Sequence, residues 1–237
     1  MKPQGCQAFT RTDLIVILGL LVVCAAAANQ FVMVVTPRMR ADSLGCQANL
    51  ARVGRAFQLW AADHNDRLPV LVSSNEGGLF GVYLAHNAWY HYAWISNELS
   101  TAKVLICPAD TNTVRRARDF SSNPDGGFVH PNYRASALSY MVGLHPHTWI
   151  PGALISADRN ITPLANVGGC GPAGLQSVQS VQSYPSEWDR SIHYLRGNLL
   201  FRDGSVEETT TAQLRRSIDR SSEDGLLPTT VHTLYPR

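Results

Sequence analysis

The chain has 237 residues, 45% hydrophobic and 16% charged, with a formal net charge of +2. That length suits one globular domain plus an appendage, and the composition is too apolar and too weakly charged for a disordered chain. The near-neutral balance excludes a strongly basic, phosphate-driven nucleic-acid binder. Scattered as they are, the five Cys and eight His make neither a disulfide-dense scaffold nor a zinc ribbon.

Leu14–Ala28 reads LIVILGLLVVCAAAA and carries no charge. Asn29 and Gln30 interrupt the run, and Phe31–Val35 resumes it. As a helix, Leu14–Val35 rises roughly 33 Å, about the thickness of a bilayer core. A soluble core helix has a polar face; this stretch has none before Asn29. The residues allow three readings. One is an anchoring helix that stays on the chain. Another is a cleaved secretory signal, with Lys2 and Arg11 as its basic region and Ala25–Ala28 as the cut site. The third is a lipoprotein signal on Cys24, although Val23 stands where a small residue is wanted.

Just before this block, Ala8-Phe9-Thr10-Arg11-Thr12-Asp13-Leu14 resembles the cleavage site of type IV prepilins and type II secretion pseudopilins. There a small residue precedes Phe-Thr, and a carboxylate follows shortly before an unbroken apolar helix. The family usually has Gly, Leu and Glu where this chain has Ala8, Arg11 and Asp13. The resemblance implies that residues 1–8 are a leader. It implies that a prepilin peptidase cuts before Phe9 on the cytoplasmic side, and that 9–37 is kept as a transmembrane and filament-core helix. It also implies that Asp13 pairs with the new α-amino group of a neighbouring copy, since a carboxylate at a membrane edge is costly unless paired. Without the resemblance, Asp13 simply sits in the headgroup region.

Pro37 is a place where the helix can kink or end. Beyond it, Met39, Cys46, Leu50, Val53, Phe57 and Trp60 recur at steps of 7, 4, 3, 4 and 3. That is the period of a one-sided helix, predicted from about Arg38 to about Ala62. Were it continuous with the first segment, the two would form a rod of roughly 70 Å. Asp63-His64-Asn65-Asp66-Arg67-Leu68-Pro69 reads as its stop signal. Asp63, Asn65 and Asp66 also carry the oxygen chemistry of a calcium site, but the acidic closing residue of a calcium loop is missing.

From Leu68 onward, short runs are punctuated by Gly, Pro and Asn. A short helix is predicted within Ala88–Leu99, with Asn87 as its N-cap. The aromatics Tyr83, Trp89, Tyr90, Tyr92 and Trp94 read as core, because no basic cluster accompanies them. Val104–Cys107, Ser139–Leu144 and Ala153–Ala157 are strand candidates. Ser121–Pro131 and Val167–Ser186 read as loops, the latter with a Ser-Val-Gln repeat at 177–182. Ile192–Leu195, Asn198–Arg202 and Ser205–Glu208 read as three short strands, with Gly197 and the hairpin pair Asp203-Gly204 between them. Thr211–Arg220 is an amphipathic helix with Leu214 and Ile218 on one side.

His193 and Asp203-Gly204, in HYLRGNLLFRDGSVEE, resemble the His-x9-Asp-Gly motif at the C-terminus of prepilin-type proteins of planctomycete and verrucomicrobial bacteria. The run Cys46–Pro69 and the islands SNELS, KVLICPAD, Leu138–Gly143 and SADRNIT resemble the same proteins in the same order. By residue type, His193 and Asp203 suggest an acid–base pair, or a triad with Ser191 or Ser205, but no Gly-x-Ser-x-Gly elbow is present and the Asp falls in a turn. A structural hydrogen bond from His193 is the reading adopted. His145 and His147 are half a metal site with no third ligand placed by spacing. Cys46, Cys107 and Cys170 allow three single pairings or three free thiols. The resemblance implies Cys46–Cys107, leaving Cys170 unpaired.

Taken together, the resemblance implies an α+β protein: a long N-terminal helix packed on a small antiparallel sheet, with residues 38–67 continuing into a head at 68–237. It implies a structural subunit without catalytic residues or cofactor, anchored by a single pass in the inner membrane with its head in the periplasm. Its partners would be other pilin-like subunits, the prepilin peptidase, the inner-membrane assembly platform and the lipid bilayer, with no nucleic acid. Ala8, Phe9, Thr10 and Asp13 would serve processing and assembly. Cys46, Cys107, His193, Asp203 and Gly204 would hold the head together. The competing readings are a periplasmic or secreted enzyme or binding protein with an ordinary signal, and a single-pass protein that never polymerises.

Overall fold

Thr10 starts the first helix by a reciprocal cap. Its hydroxyl accepts from the Asp13 N–H at 3.2 Å, and the Asp13 carboxylate accepts from the Thr10 N–H at 2.9 Å. Helix α1 then runs from Arg11 to Ala62, without ending at position 37, where the sequence offered a break. Asn65 and Asp66 end it by taking left-handed backbone angles, φ 55° and 57°. The computed structural model describes residues 10–111, 115–144, 152–162, 165–166, 178–182, 186–221 and 230–236, with backbone only at 28–37, 165–166, 178–182 and 230–232.

The chain divides into two units, Met1–Ala41 and Asp42–Arg237. In the first, Leu14–Val23 is helical and every large apolar side chain in it is exposed, from 41% at Ile17 to 69% at Val22. Met39, predicted on the buried stripe, is exposed as well. Among the described residues, no helix is long and apolar enough to cross a membrane. The apolar run read from the sequence extends over residues 28–35, whose side chains are outside the described set.

The second unit is α+β. Its strands are β1 (Tyr140–Gly143), β2 (Leu154–Asp158), β3 (Ile161–Thr162), β4 (Ala165–Asn166), β5 (Val178–Gln182), β6 (Glu187–Trp188), β7 (Arg196–Phe201), β8 (Val206–Thr210) and β9 (Thr230–Leu234). Seven of them form one antiparallel sheet in the order β4-β5-β9-β1-β2-β7-β8, and β3 pairs separately with β6. The helices are α2 (Ala88–Trp94), α3 (Ser96–Leu99) and α4 (Thr211–Ser221).

Strand alternation divides the core in two. Tyr140, Val142, Ile155 and Leu200 join Cys46, Leu50, Val53, Phe57 and Trp60 of α1 and Trp89 and Tyr92 of α2. Met141, Leu154, Ala157, Leu199 and Phe201 face the other way, onto Leu214 and Ile218 of α4 and onto Trp188. Both faces of the sheet are therefore covered at β1 and β2, which is why these strands are buried at every position. Gly54 sets how closely α1 lies on the sheet: a Cβ there would come within 2.7 Å of the Leu200 Cδ1. Thr210 and Gln213 cap α4 reciprocally, each accepting from the other's backbone N–H.

Several predicted elements differ. Val104–Cys107 is not a strand: Ala102–Leu105 is a 3-10 turn opened by the Thr101 hydroxyl, which accepts from the Lys103 N–H. Val104, Leu105, Ile106 and Cys107 are all buried, and an unbroken apolar run fits either conformation. Ile192–Leu195 is not a strand either, because Tyr194 and Leu195 take φ 48° and 66°. The Ser-Val-Gln repeat, read as loop, lies largely in β5. The single helix predicted over Ala88–Leu99 breaks into α2 and α3 at Ile95. Asn87 precedes α2 but gives it no side-chain cap; its amide donates to the Leu84 carbonyl at 3.2 Å instead. Trp89 and Tyr92 are core, whereas Tyr83 is 76% exposed.

Candidate functional site

Cys46 lies on the buried stripe of α1, and Cys107 follows the 3-10 turn, in a segment tied down by two hydrogen bonds. The Asn49 amide donates to the Ile106 carbonyl at 3.0 Å, and the Ser139 N–H donates to the Leu105 carbonyl at 2.9 Å. The two cysteines are joined by a disulfide, their Cα atoms 4.8 Å apart, and both are fully buried. The bond links helix α1 to the loop that leads toward β1.

His193 reaches this disulfide from the loop before β7. That loop is shaped by Asp189, whose carboxylate accepts from the Ser191 N–H at 2.7 Å and whose carbonyl accepts from the Leu195 N–H at 2.9 Å. The left-handed turn at Tyr194 and Leu195 leaves those two side chains exposed while His193 is buried. His193 Nε2 lies 3.3 Å from Cys107 Sγ and 3.3 Å from Asp158 Oδ2.

Asp158 closes β2 and is fully buried. Its Oδ2 accepts from Asn198 twice, from the backbone N–H at 2.7 Å and from the side-chain amide at 2.8 Å. Its Oδ1 has no hydrogen-bond partner among the described residues. Burial foremost, with the Asp158 charge adding to it, pushes the Tyr140 hydroxyl well above the usual phenol range. The same two causes raise Tyr92, against a lowering by its hydrogen bond to Ser156.

In a nucleophile–His–Asp relay the carboxylate and the nucleophile sit on opposite ring nitrogens. Here Asp158 and Cys107 both face Nε2, and the sulfur is already in a disulfide. The cluster is thus a buried polar knot joining α1, the Cys107 loop, β2 and the loop before β7. Its carboxylate is Asp158, not Asp203. Asp203 serves the β7–β8 hairpin instead, accepting from the Ser205 N–H at 2.9 Å and hydroxyl at 2.6 Å. Gly204 completes that turn at φ 85°, close against Gln58 of α1.

The remaining sequence candidates separate. Thr10 and Asp13 form the α1 cap. Ala8 and Phe9 lie outside the described residues, as do His145, His147, Cys6 and Cys170. Asp66 accepts from Arg202 Nη2 at its carboxylate, 2.9 Å, and at its carbonyl, 2.5 Å. The ion pair to Arg202 and the two left-handed residues Asn65 and Asp66 fit a helix stop. Asp158 and Asn198 are absent from the residues singled out in the sequence. Asp158 stands among the polar residues that close β2 and Asn198 just ahead of an apolar run, and no spacing rule marks them.

Compared with known proteins, the chain matches no family model, no curated protein and no solved structure.

Proposed function

We propose that this chain is a pilin-like structural subunit of a type II secretion or type IV pilus-like filament, anchored in the inner membrane and processed before Phe9. One observation carries the reading. Leu14–Val23 is helical, and its apolar side chains are exposed on every face. A surface of that kind is stable only when lipid or other copies cover it. The Thr10–Asp13 cap supports it. The capping bonds fall on Oδ2 of Asp13, at the start of the apolar helix and within about a turn of the peptide bond that the resemblance marks for cleavage. In this reading the Asp42–Arg237 unit is the periplasmic head, and the work is assembly, with no reaction to catalyse.

N-terminal sequencing of the chain recovered from its native membrane tests the proposal. A start at Phe9 is expected; a start near Asn29 overturns it and marks an ordinary secretory signal. Asp13→Ala tests polymerisation. Loss of cross-linked multimers, with the chain still in the membrane, is expected, and an unchanged ladder counts against a filament.

A further inference from the structure

The Cys46–Cys107–His193 cluster holds more ligand chemistry than a structural bridge needs. The two sulfurs and the imidazole nitrogen all lie within 4.8 Å of one another and all three residues are buried. Beside them stands Asp158, wholly buried, with one carboxylate oxygen unpartnered among the described residues and the other 3.3 Å from His193 Nε2. Two sulfurs and an imidazole converge from three separate segments of the chain, and the carboxylate flanks the imidazole.

We propose that reduction of the disulfide turns this knot into a binding site for a thiophilic divalent cation of the zinc type, with Cys46, Cys107 and His193 as ligands and Asp158 as the fourth. In the reduction, an external dithiol gives up two electrons and two protons and becomes a disulfide; the Cys46–Cys107 bond breaks and both sulfurs become thiols. Binding of the cation releases both thiol protons to solvent, while His193 keeps its one ring proton on Nδ1 and ligates through Nε2. A tetrahedral ion with metal–sulfur bonds of about 2.3 Å needs its two thiolates roughly 3.8 Å apart. Rotation about the two Cα–Cβ bonds supplies that separation once the bridge is cut. Two thiolates, one imidazole and one carboxylate form a donor set suited to zinc, and burial of every ligand gives a closed site.

The cluster then has two closed states that exclude each other. An oxidising compartment keeps the bridge, and a reducing one favours the metal. This inference does not depend on the filament reading, because it rests only on residues of the Asp42–Arg237 unit.

The test uses the full-length protein in detergent, with Cys6, Cys24 and Cys170 changed to Ser, prepared oxidised and prepared under reductant throughout. Each form is stripped of metal and titrated anaerobically with Co(II) and then Zn(II). The expected result is one ion per reduced chain, with thiolate-to-cobalt charge transfer and tetrahedral ligand-field bands that zinc displaces. The oxidised chain binds none. His193→Ala is expected to weaken zinc binding by more than the roughly 10–100-fold typical of an outer-shell residue, and Asp158→Asn to shift the cobalt bands. Equal binding by oxidised and reduced chains, or no tetrahedral cobalt spectrum in the reduced chain, overturns the proposal. So does a spectrum that persists in Cys46→Ser/Cys107→Ser. Should His193→Ala fail to fold, the comparison of oxidised and reduced parent still decides.

Discussion

Asn198 aims both its backbone N–H and its side-chain amide at one oxygen of Asp158, at 2.7 and 2.8 Å. The pair locks β7 to β2 just where the ladder between them ends, beyond Ala157 and Leu199. It also fixes the carboxylate against which His193 rests. A buried carboxylate is tolerated only when donors satisfy it, and Asn198 supplies two.

Asn198→Ala removes the side-chain donor and leaves Asp158 Oδ2 one bond poorer. Hydrogen bonds to a charged group carry about 1.5–3 kcal/mol, so a loss of about 2 kcal/mol is expected in urea unfolding. Asn198→Asp should cost more, because it sets a second carboxylate against the first. Equal stability of the two variants would remove the electrostatic part of this account.

The disulfide closes a separation of 61 residues between Cys46 and Cys107. Chain-entropy reasoning gives about 4 kcal/mol for a loop of that size. Cys46→Ser/Cys107→Ser is expected to lower the melting temperature of the metal-free protein markedly. Adding reductant should then leave the variant's melting temperature unchanged while it lowers that of the parent.

His91 sets a pH limit. Burial is the main reason its pKa falls from 6.5 to about 4, against a hydrogen bond to the Ala85 carbonyl that acts upward. A depressed folded-state pKa means that the unfolded chain binds more protons between those values, so stability is full above pH 6.5 and lost as pH falls toward 4. The linked loss is about 3 kcal/mol at the lower end. Unfolding free energy measured across this window should flatten by about that amount in His91→Gln. An unchanged slope would place the titrating group elsewhere.

Gly204→Ala separates two penalties. A Cβ there meets Gln58 Nε2 at 2.6 Å, and the backbone sits at φ 85°. The Gln58 amide is the far end of a flexible side chain and can swing away; the left-handed backbone cannot be relieved. A cost of about 1–2 kcal/mol is expected, and Gln58→Ala in the same chain should recover little of it. Full rescue by Gln58→Ala would assign the cost to the contact.

Legibility from the chain depends on the kind of signal. The α1 stripe at Cys46, Leu50, Val53, Phe57 and Trp60 is readable because a period near 3.6 has one meaning on a helix. The Asp203-Gly204 hairpin is readable because few residues accept positive φ. Val104–Cys107 misleads because a buried strand and a buried 3-10 turn are equally apolar. Tyr194 and Leu195 mislead because nothing local announces a left-handed turn in two such residues; the Asp189 hydrogen bonds and the burial of His193 go with it. Of the candidate site, His193 and Cys107 stand out in the chain itself. Asp158, their buried anion, does not, because its role comes from the β2–β7 pairing and from no local pattern.

Strand β9 lies between β5 and β1, pairing with both. Among the described residues, strands β4 and β5 therefore join the remainder of the sheet only through Thr230–Leu234. A ribosome makes that segment after every other strand in the sheet. While the polypeptide is being made, β1, β2, β7 and β8 can assemble early, but β5 lacks the strand it pairs with on that side. Any step that acts on the nascent chain meets an unfinished sheet with one open flank, and a short deletion at β9 would leave that flank open for good.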